Sequence, residues 1–566
     1  MILAASQLER PDMIVLVGYF ALMLGIGAYF YRYMRGMKDY FSGGNRIPWW
    51  LSGVSFYMSS FSVFAFVFYS ALAYKYGWVA VTLFWVTIPA TVVGVLFFAS
   101  RWRRARIDSP VEYLESRYSP AVRQLFAWEG IPVRIIDDGL KLIAIGTFIH
   151  VGLGLRMTDS ILWSGLIMLA YTLMGGLWAV AVTDFIQFVV MTAAIVVILP
   201  LSLAEAGGLG NFLDTAPPGF FKLTHPEFSW IYVGSNVFLF TLAYSSINWS
   251  LIQRYYCVPK ETDARKVGWL VVALNIIGPP LMFIPAMAAR QFLTDLADSS
   301  QVYPTLCAHL LPAGMLGLVL AAMFSATMSM LSSDYNVCAS VLTNDVYRRL
   351  IRPGAGPREL VLIGRLMTLV IGVIALAVAF GLAGGSGVDQ FHNMVKLFSV
   401  ATAPVAIPML LGLLSKRMTN AGALAGFLGG IAVGLALFFW GPDGGEFLGA
   451  AWKKENLLLF ATTITTAGMM VGVSLLFPQS AEERRRAESF MRRLDVPVGE
   501  MDEDLAVSTA AGGAVISPFR VVGISTMLIG VLMLGILPYV AGELAYTMDL
   551  WIGAALLVVG GVMVLS

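Results

Sequence analysis

Charged side chains are scarce in this chain, 13% of 566 residues against roughly 25% in a soluble domain. With so little charge and 58% hydrophobic residues, a water-exposed globule is excluded, and soluble enzymes with it. Cysteine is nearly absent: Cys257, Cys307 and Cys338 show no C-x-x-C spacing, so neither a disulfide framework nor a thiolate metal site is expected. The histidines, His150, His225, His309 and His392, are scattered and belong to no H-E-x-x-H run. A basic excess is missing as well, and a net charge of +2 offers nothing to nucleic acid. What abounds is apolar, with 35 Phe, 28 Met and 14 Trp, in runs long enough to face lipid. The chain reads as an all-α polytopic membrane protein whose surroundings are the lipid bilayer.

At about 20 mostly apolar residues per crossing, spans are expected near 12–32, 48–74, 78–99, 127–154, 158–174, 176–204, 228–249, 267–289, 311–336, 361–383, 392–414, 421–441, 456–477, 519–539 and 545–565, fifteen in all. No basic n-region or small-residue cleavage motif precedes the first run, so it is read as a span and not as a signal peptide. Basic clusters at Arg32 to Arg46, Arg101 to Arg123, Arg254 to Lys266, Arg348 to Arg358 and Arg484 to Arg493 each follow an odd-numbered span. The positive-inside rule then puts the N-terminus outside and the C-terminus in the cytoplasm, in a plasma or inner membrane. The one long polar stretch, 478–518, mixes both charge signs. It suits a cytoplasmic linker with a short amphipathic helix, a solvated connector to two further spans.

Polar residues inside the spans are the functional candidates, because each is costly in lipid. Ser52, Ser55, Ser59, Ser60 and Ser62 interrupt the second span, and Tyr244, Ser245, Ser246, Asn248 and Trp249 hold a comparable place in the seventh. Such residues compete for backbone hydrogen bonds and can unwind a helix, or they can pack helices closely through small side chains. Two interrupted spans separated by five helices suggest inverted repeats whose broken helices meet at a midplane site. In the ninth span Ser325, Ser329 and Ser332 share a helical face, where hydroxyls can ligate a small cation or satisfy their own helix. Asp184 lies within the sixth span. In the fourth, Arg134 with Asp138 and Asp137 with Lys141 stand at i,i+4, spaced for pairing within one helix or for facing a solute.

Five segments, in order, resemble the sodium/solute symporter family of sugar, proline, iodide, vitamin and sialic acid symporters. They are SGGNRIPWW, DSPVEYLESRYSPAVR, GGLWAVAVTDFIQ, INWSLIQRYYCVPKETDARK and SMLSSDYNVCASVLTNDVYRR, and the resemblance runs from about residue 12 to 477. It implies a leucine-transporter type of fold: a peripheral N-terminal span in 1–34, inverted five-helix repeats at 48–204 and 228–414, and two peripheral spans in 421–477. The linker 478–518 and two C-terminal spans in 519–566 would complete the chain. By position it also implies a co-transported Na⁺ held by backbone carbonyls of Met58, Phe61 and Ala322 and by the Ser325 hydroxyl, with the Asp184 charge nearby. The family's adjacent second hydroxyl is Ala326 here, and Met328 stands where some members hold a second sodium, so one Na⁺ per solute is expected. The positions of hexose contacts hold Ala65, Phe84, Asn248 and Asn275, and that of the inner-gate Tyr holds Ser250. Only the Asn248 position keeps the family's residue. Trp85, Trp249 and Asp137 join the expected solute contacts, which favours a small organic solute that is less polar than a hexose or anchored by charge.

A channel would want a symmetric filter, and a membrane enzyme a nucleophile with its base or a metal cluster; neither pattern is present. The expected function is therefore sodium-coupled symport by alternating access, in a monomer or weak oligomer. A transporter-like sensor, or a symporter driven by another ion, is the alternative.

Overall fold

The computed structural model describes residues 8–31, 45–60, 62–107, 110–172, 177–294, 296, 298–447, 449–499, 518–540 and 542–565. Apolar runs become helices because a buried backbone must satisfy its own polar groups. Helix α1 (Arg10–Tyr31) is followed by α2 (Trp49–Ser59), a π-helical turn at Ala65–Tyr69, and α3 (Ser70–Tyr76). Next come α4 (Val79–Arg104), α5 (Pro110–Arg117), α6 (Pro120–Leu153), α7 (Met157–Thr172) and α8 (Leu177–Glu205). The second half opens with α9 (Trp230–Leu242), a π turn at Ala243–Ile247, and α10 (Trp249–Tyr256). It continues with α11 (Glu261–Ala289), α12 (Met315–Val341), α13 (Pro357–Leu382), α14 (Gly387–Leu414), α15 (Asn420–Trp440) and α16 (Lys454–Leu476). Beyond them lie α17 (Ala481–Asp495), α18 (Pro518–Ile536) and α19 (Glu543–Leu565).

Eleven of the described helices are long and apolar enough to cross a membrane, or up to twelve if Pro120–Leu153 and Met157–Leu169, bent by 118°, form one broken span. Of the fifteen expected crossings, the fourth and fifth fall on that bent pair, α6 and α7, the first on α1, and the second on the interrupted α2 and α3. Helix α12 is the hub, with 94% of its apolar window buried, whereas α19 buries 28% and leaves the rest to face outward.

Helix starts follow from local chemistry. Ser119 accepts from Val122 N to cap α6, Ser386 and Asp389 form a reciprocal capping box on α14, and Ser480 with Glu483 does the same for α17. A short antiparallel hairpin, β1 (Gly444–Phe447) and β2 (Ala450–Lys453), precedes α16. There Lys453 pairs with Glu227, and His392 at the start of α14 meets Glu455 at 2.8 Å, which ties α14 to the end of the bundle opposite the Arg-rich one.

The described part of the linker, residues 478–499, contains the short amphipathic helix read from sequence, and that helix is packed on the bundle; residues 500–517 lie outside the described residues. Ala487, Phe490 and Leu494 of α17 are buried, and Phe490 packs on Tyr113 of α5 with ring centroids 5.3 Å apart. Arg106 donates to the carbonyls of Arg493 and Pro497 at 2.9 and 2.8 Å, and Glu483 accepts from Asn420 N at 3.3 Å. The helix straps the basic ends of α4, α5 and α15 because its apolar stripe has a surface to bury on.

Candidate solute and ion site

Both interrupted helices break where the sequence places its hydroxyls. Helix α2 stops at Ser59; Ser60 Oγ bonds back to Tyr57 O at 2.7 Å, and Ser62 Oγ accepts from Phe64 N at 3.2 Å. In the partner break, Asn248 leaves helical geometry at φ −78°, ψ 86°, and its Oδ1 accepts from Ser250 Oγ at 2.8 Å and from Leu251 N at 3.4 Å. Side chains thus replace the ladder bonds that a continuous helix would make. Tyr244 Oη reaches Ser60 O at 3.4 Å, so the two breaks touch.

Between them lies a cavity of about 180 Å³ that opens to solvent. Its wall includes Ala65, Phe84, Asn248, Trp249 and Asp137, five of the solute contacts expected from sequence. Two others are elsewhere. Trp85 turns to α11, where Nε1 donates to Ile276 O at 3.2 Å, and Asn275 is wholly buried in α11 away from the cavity wall. Both lie on helices that line or adjoin the cavity, and the rotation of each helix, invisible in a linear alignment, directs them away.

Of the two i,i+4 pairs expected in α6, Asp137 with Lys141 forms and Arg134 with Asp138 does not. Lys141 Nζ sits 2.8 Å from Asp137, 3.0 Å from Asp138 and 3.1 Å from Asp334. Arg134 bonds Asp334 Oδ1 at 3.2 Å, not Asp138, and lays its guanidinium 4.1 Å over the Trp249 ring. The reason is tertiary: Asp334 of α12 packs against this face and bridges both cations. Sequence reading had Asp334 only within the segment SMLSSDYNVCASVLTNDVYRR, and it had not singled out Glu129, which also lines the cavity.

Beside the α2 break, Met58 and Ala322 are buried, at 3% and 0% exposure, on the packed helices α2 and α12. Phe61 and the Ser325 side chain lie outside the described residues. Asp184 is engaged by protein: Ser55 Oγ donates to it at 2.6 Å, and Arg254 Nη2 lies 3.6 Å away. Arg254 also donates to Ser55 Oγ and Ser59 Oγ at 3.0 and 3.2 Å, so one guanidinium from α10 clasps α2 and α8. The charge of Asp184 is therefore shared with a cation that the sequence reading had not placed beside it.

Paired helix breaks facing a polar and aromatic cavity inside a bundle of membrane-length helices define a secondary transporter. The family model of the sodium:solute symporter family matches residues 40–430, well over half of the chain. The chain belongs to that family, whose members are transporters coupled to sodium. It is 27% identical over 466 residues to the sodium/glucose cotransporter of Vibrio parahaemolyticus, covering 76% of this chain and 85% of that protein. It is 27% identical to a sodium/sialic acid symporter of Proteus mirabilis, covering 76% and 91%, and 29% identical to the human sodium/iodide cotransporter, covering 75% and 69%. The solved structure of a Na⁺-coupled sialic acid symporter in a substrate-bound outward-open state superposes with a TM-score of 0.71 at 22% identity, over 83% of this chain and 99% of that one.

Proposed function

We propose that the cavity between the two helix breaks is the solute site, and that one Na⁺ binds beside the α2 break and drives uptake by alternating access. The observation that carries this reading is the contact between the breaks: Tyr244 of one reaches the Ser60 carbonyl of the other. A change at the ion is thereby felt at the solute wall. In this reading Na⁺ takes the carbonyls of Met58, Phe61 and Ala322 and the Ser325 hydroxyl, all hard oxygen ligands. Ala326 offers only a methyl group and Met328 a thioether, which favours a single, modest-affinity ion. Asp184 supplies charge to that region through Ser55, attenuated by Arg254.

The solute is a small organic molecule held by Asn248, Phe84, Trp249 and the Ala65 and Asp137 positions. Ala and Phe in place of two hydrogen-bonding groups argue against a hexose bound as in hexose-carrying relatives, since a polar site reads hydroxyls through placed donors and acceptors. Fifteen spans, one N-terminal span followed by two inverted five-span repeats and two further pairs, with an outside N-terminus and a cytoplasmic C-terminus, are the topology that goes with this reading. The positive-inside distribution of Arg and Lys supports it.

Proteoliposome uptake tests it. Transport should saturate, depend on sodium and accelerate when solute is present on the far side. Ser325→Ala should raise the sodium concentration for half-maximal uptake at least tenfold, and Ser332→Ala should leave it within about twofold. Equal effects of the two would remove the ion from the place given to it.

A further inference from the structure

The ionisable groups around the cavity do not balance. Glu129, Arg134, Asp137, Lys141 and Asp334 line it, and Asp138, fully buried, stands behind Lys141 at 3.0 Å. Four carboxyls thus face two cations. Both cations are spent: Lys141 is surrounded by three carboxylates at 2.8 to 3.1 Å, and Arg134 is held by Asp334 on one side and the Trp249 ring on the other. Among the described residues nothing lies within ion-pair or hydrogen-bond distance of the Glu129 carboxyl. In this cluster two further polar atoms are buried without a partner among the described residues: Asp138 Oδ2, and Trp249 Nε1 on the cavity wall, whose residue is 7% exposed. The rest of the wall is largely apolar, with the rings of Phe64, Phe84 and Phe126. Low-dielectric surroundings strengthen the pull of an uncompensated carboxylate on any cation that enters.

We propose that the solute itself supplies the missing positive charge: the transported molecule is an organic cation, carrying an ammonium or guanidinium group on an apolar body. This deepens the reading of the cavity as the solute site and rests on it. The cationic head sits against Asp137 and Asp334, the carboxylates of the cluster that face the cavity. Glu129, eight residues and about 12 Å along α6 toward the Arg-rich cytoplasmic end, receives it on the way out of the site. Trp249 Nε1 donates to an oxygen elsewhere on the same molecule, and the aromatic rings take up the apolar body and the flank of the cation.

The test uses the full-length protein in detergent at fixed sodium, with a panel of organic ammonium compounds, each paired with its neutral and its carboxylate isostere. Thermal stabilisation should come from ammonium members, with the neutral and carboxylate partners at least tenfold weaker. Glu129→Gln and Asp137→Asn should each weaken the ammonium compound at least fivefold while leaving its neutral isostere within twofold. The stability increment produced by sodium alone checks that each variant is folded. Neutral or carboxylate members stabilising best, no ammonium compound stabilising at all, or ammonium binding indifferent to both substitutions would overturn the inference, the last by showing that the excess carboxyls are already protonated. Sodium-driven uptake of a neutral molecule would leave symport standing and this inference fallen. Absence of any sodium-driven uptake would instead remove the symport reading.

Discussion

Two tryptophans on neighbouring helices show how much a side chain's direction decides. Trp249 carries Arg134 on its face and keeps its Nε1 unpartnered at the cavity, whereas Trp85 spends its Nε1 on Ile276 O. One indole donor to the solute contributes about 1 kcal/mol, and losing the ring also removes its buried apolar surface from the wall and releases Arg134, whose contact with the indole face is worth about 0.5–2 kcal/mol. Trp249→Ala should therefore weaken solute binding about tenfold or more, measured by equilibrium binding of labelled solute at saturating sodium. Trp85→Phe should stay within about twofold. Matching losses at the two positions would mean that the wall has been drawn on the wrong side of α4. Arg254 makes a similar point: it reads from sequence as one of a basic loop cluster, yet it is 2% exposed and bonded to the serines of α2.

At the scale of elements, the central helix α12 is anchored at its first turn by a residue from the first helix of the chain. Asp12 Oδ1 accepts from Gly314 N and Gly317 N at 2.7 Å each, meeting the positive end of the helix dipole. The two glycines are required there: Gly314 sits at φ +95°, and a Cβ on Gly317 would come within 2.3 Å of Asp12 O. Hydrogen bonds to a buried carboxylate are worth about 1.5–3 kcal/mol. Asp12→Ala should lower the apparent Tm of the purified protein by several degrees, while Glu9→Ala, exposed just before α1, should change it little. Unaltered stability of the Asp12 variant would show that α1 is an ornament to the bundle and not its anchor. The interrupted helices are the opposite case, elements held by side-chain bonds at Ser60, Ser62 and Asn248 so that they can rearrange.

For the whole molecule, the question is how much work one ion can do. Moving one positive charge down about 100 mV releases roughly 2.3 kcal/mol, and a tenfold sodium gradient adds roughly 1.4 kcal/mol. Their sum, about 3.7 kcal/mol, supports accumulation of a neutral solute on the order of 500-fold. A monovalent cationic solute adds its own roughly 2.3 kcal/mol from the potential, bringing about 6 kcal/mol and accumulation on the order of 10⁴-fold. In proteoliposomes, isotope fluxes should give one sodium per solute, and reversal potentials should give two charges per solute. Two sodium ions per solute would mean that hydroxyls of α12 build a second ion site despite Met328. One charge per solute, with one sodium, would identify a neutral cargo.

Composition and the order of motifs were enough to place this chain in a membrane and in its family, because lipid demands long apolar helices and because five short segments recur in one sequence order. The helix breaks were legible for the same local reason: Ser60, Ser62 and Asn248 compete with the backbone wherever they stand. What the linear pattern could not decide was which polar groups meet. Spacing paired Arg134 with Asp138, while the packed bundle brings Asp334 to Arg134 and Lys141 from about two hundred residues away. Likewise Asp184 was readable as a buried charge, but its partner Arg254 comes from another helix. Trp85 and Asn275 aligned with a pocket from which helix rotation turns them. Pairing and facing depend on the three-dimensional register of separate helices, and in a bundle that register is set by the packing of the whole against its neighbours.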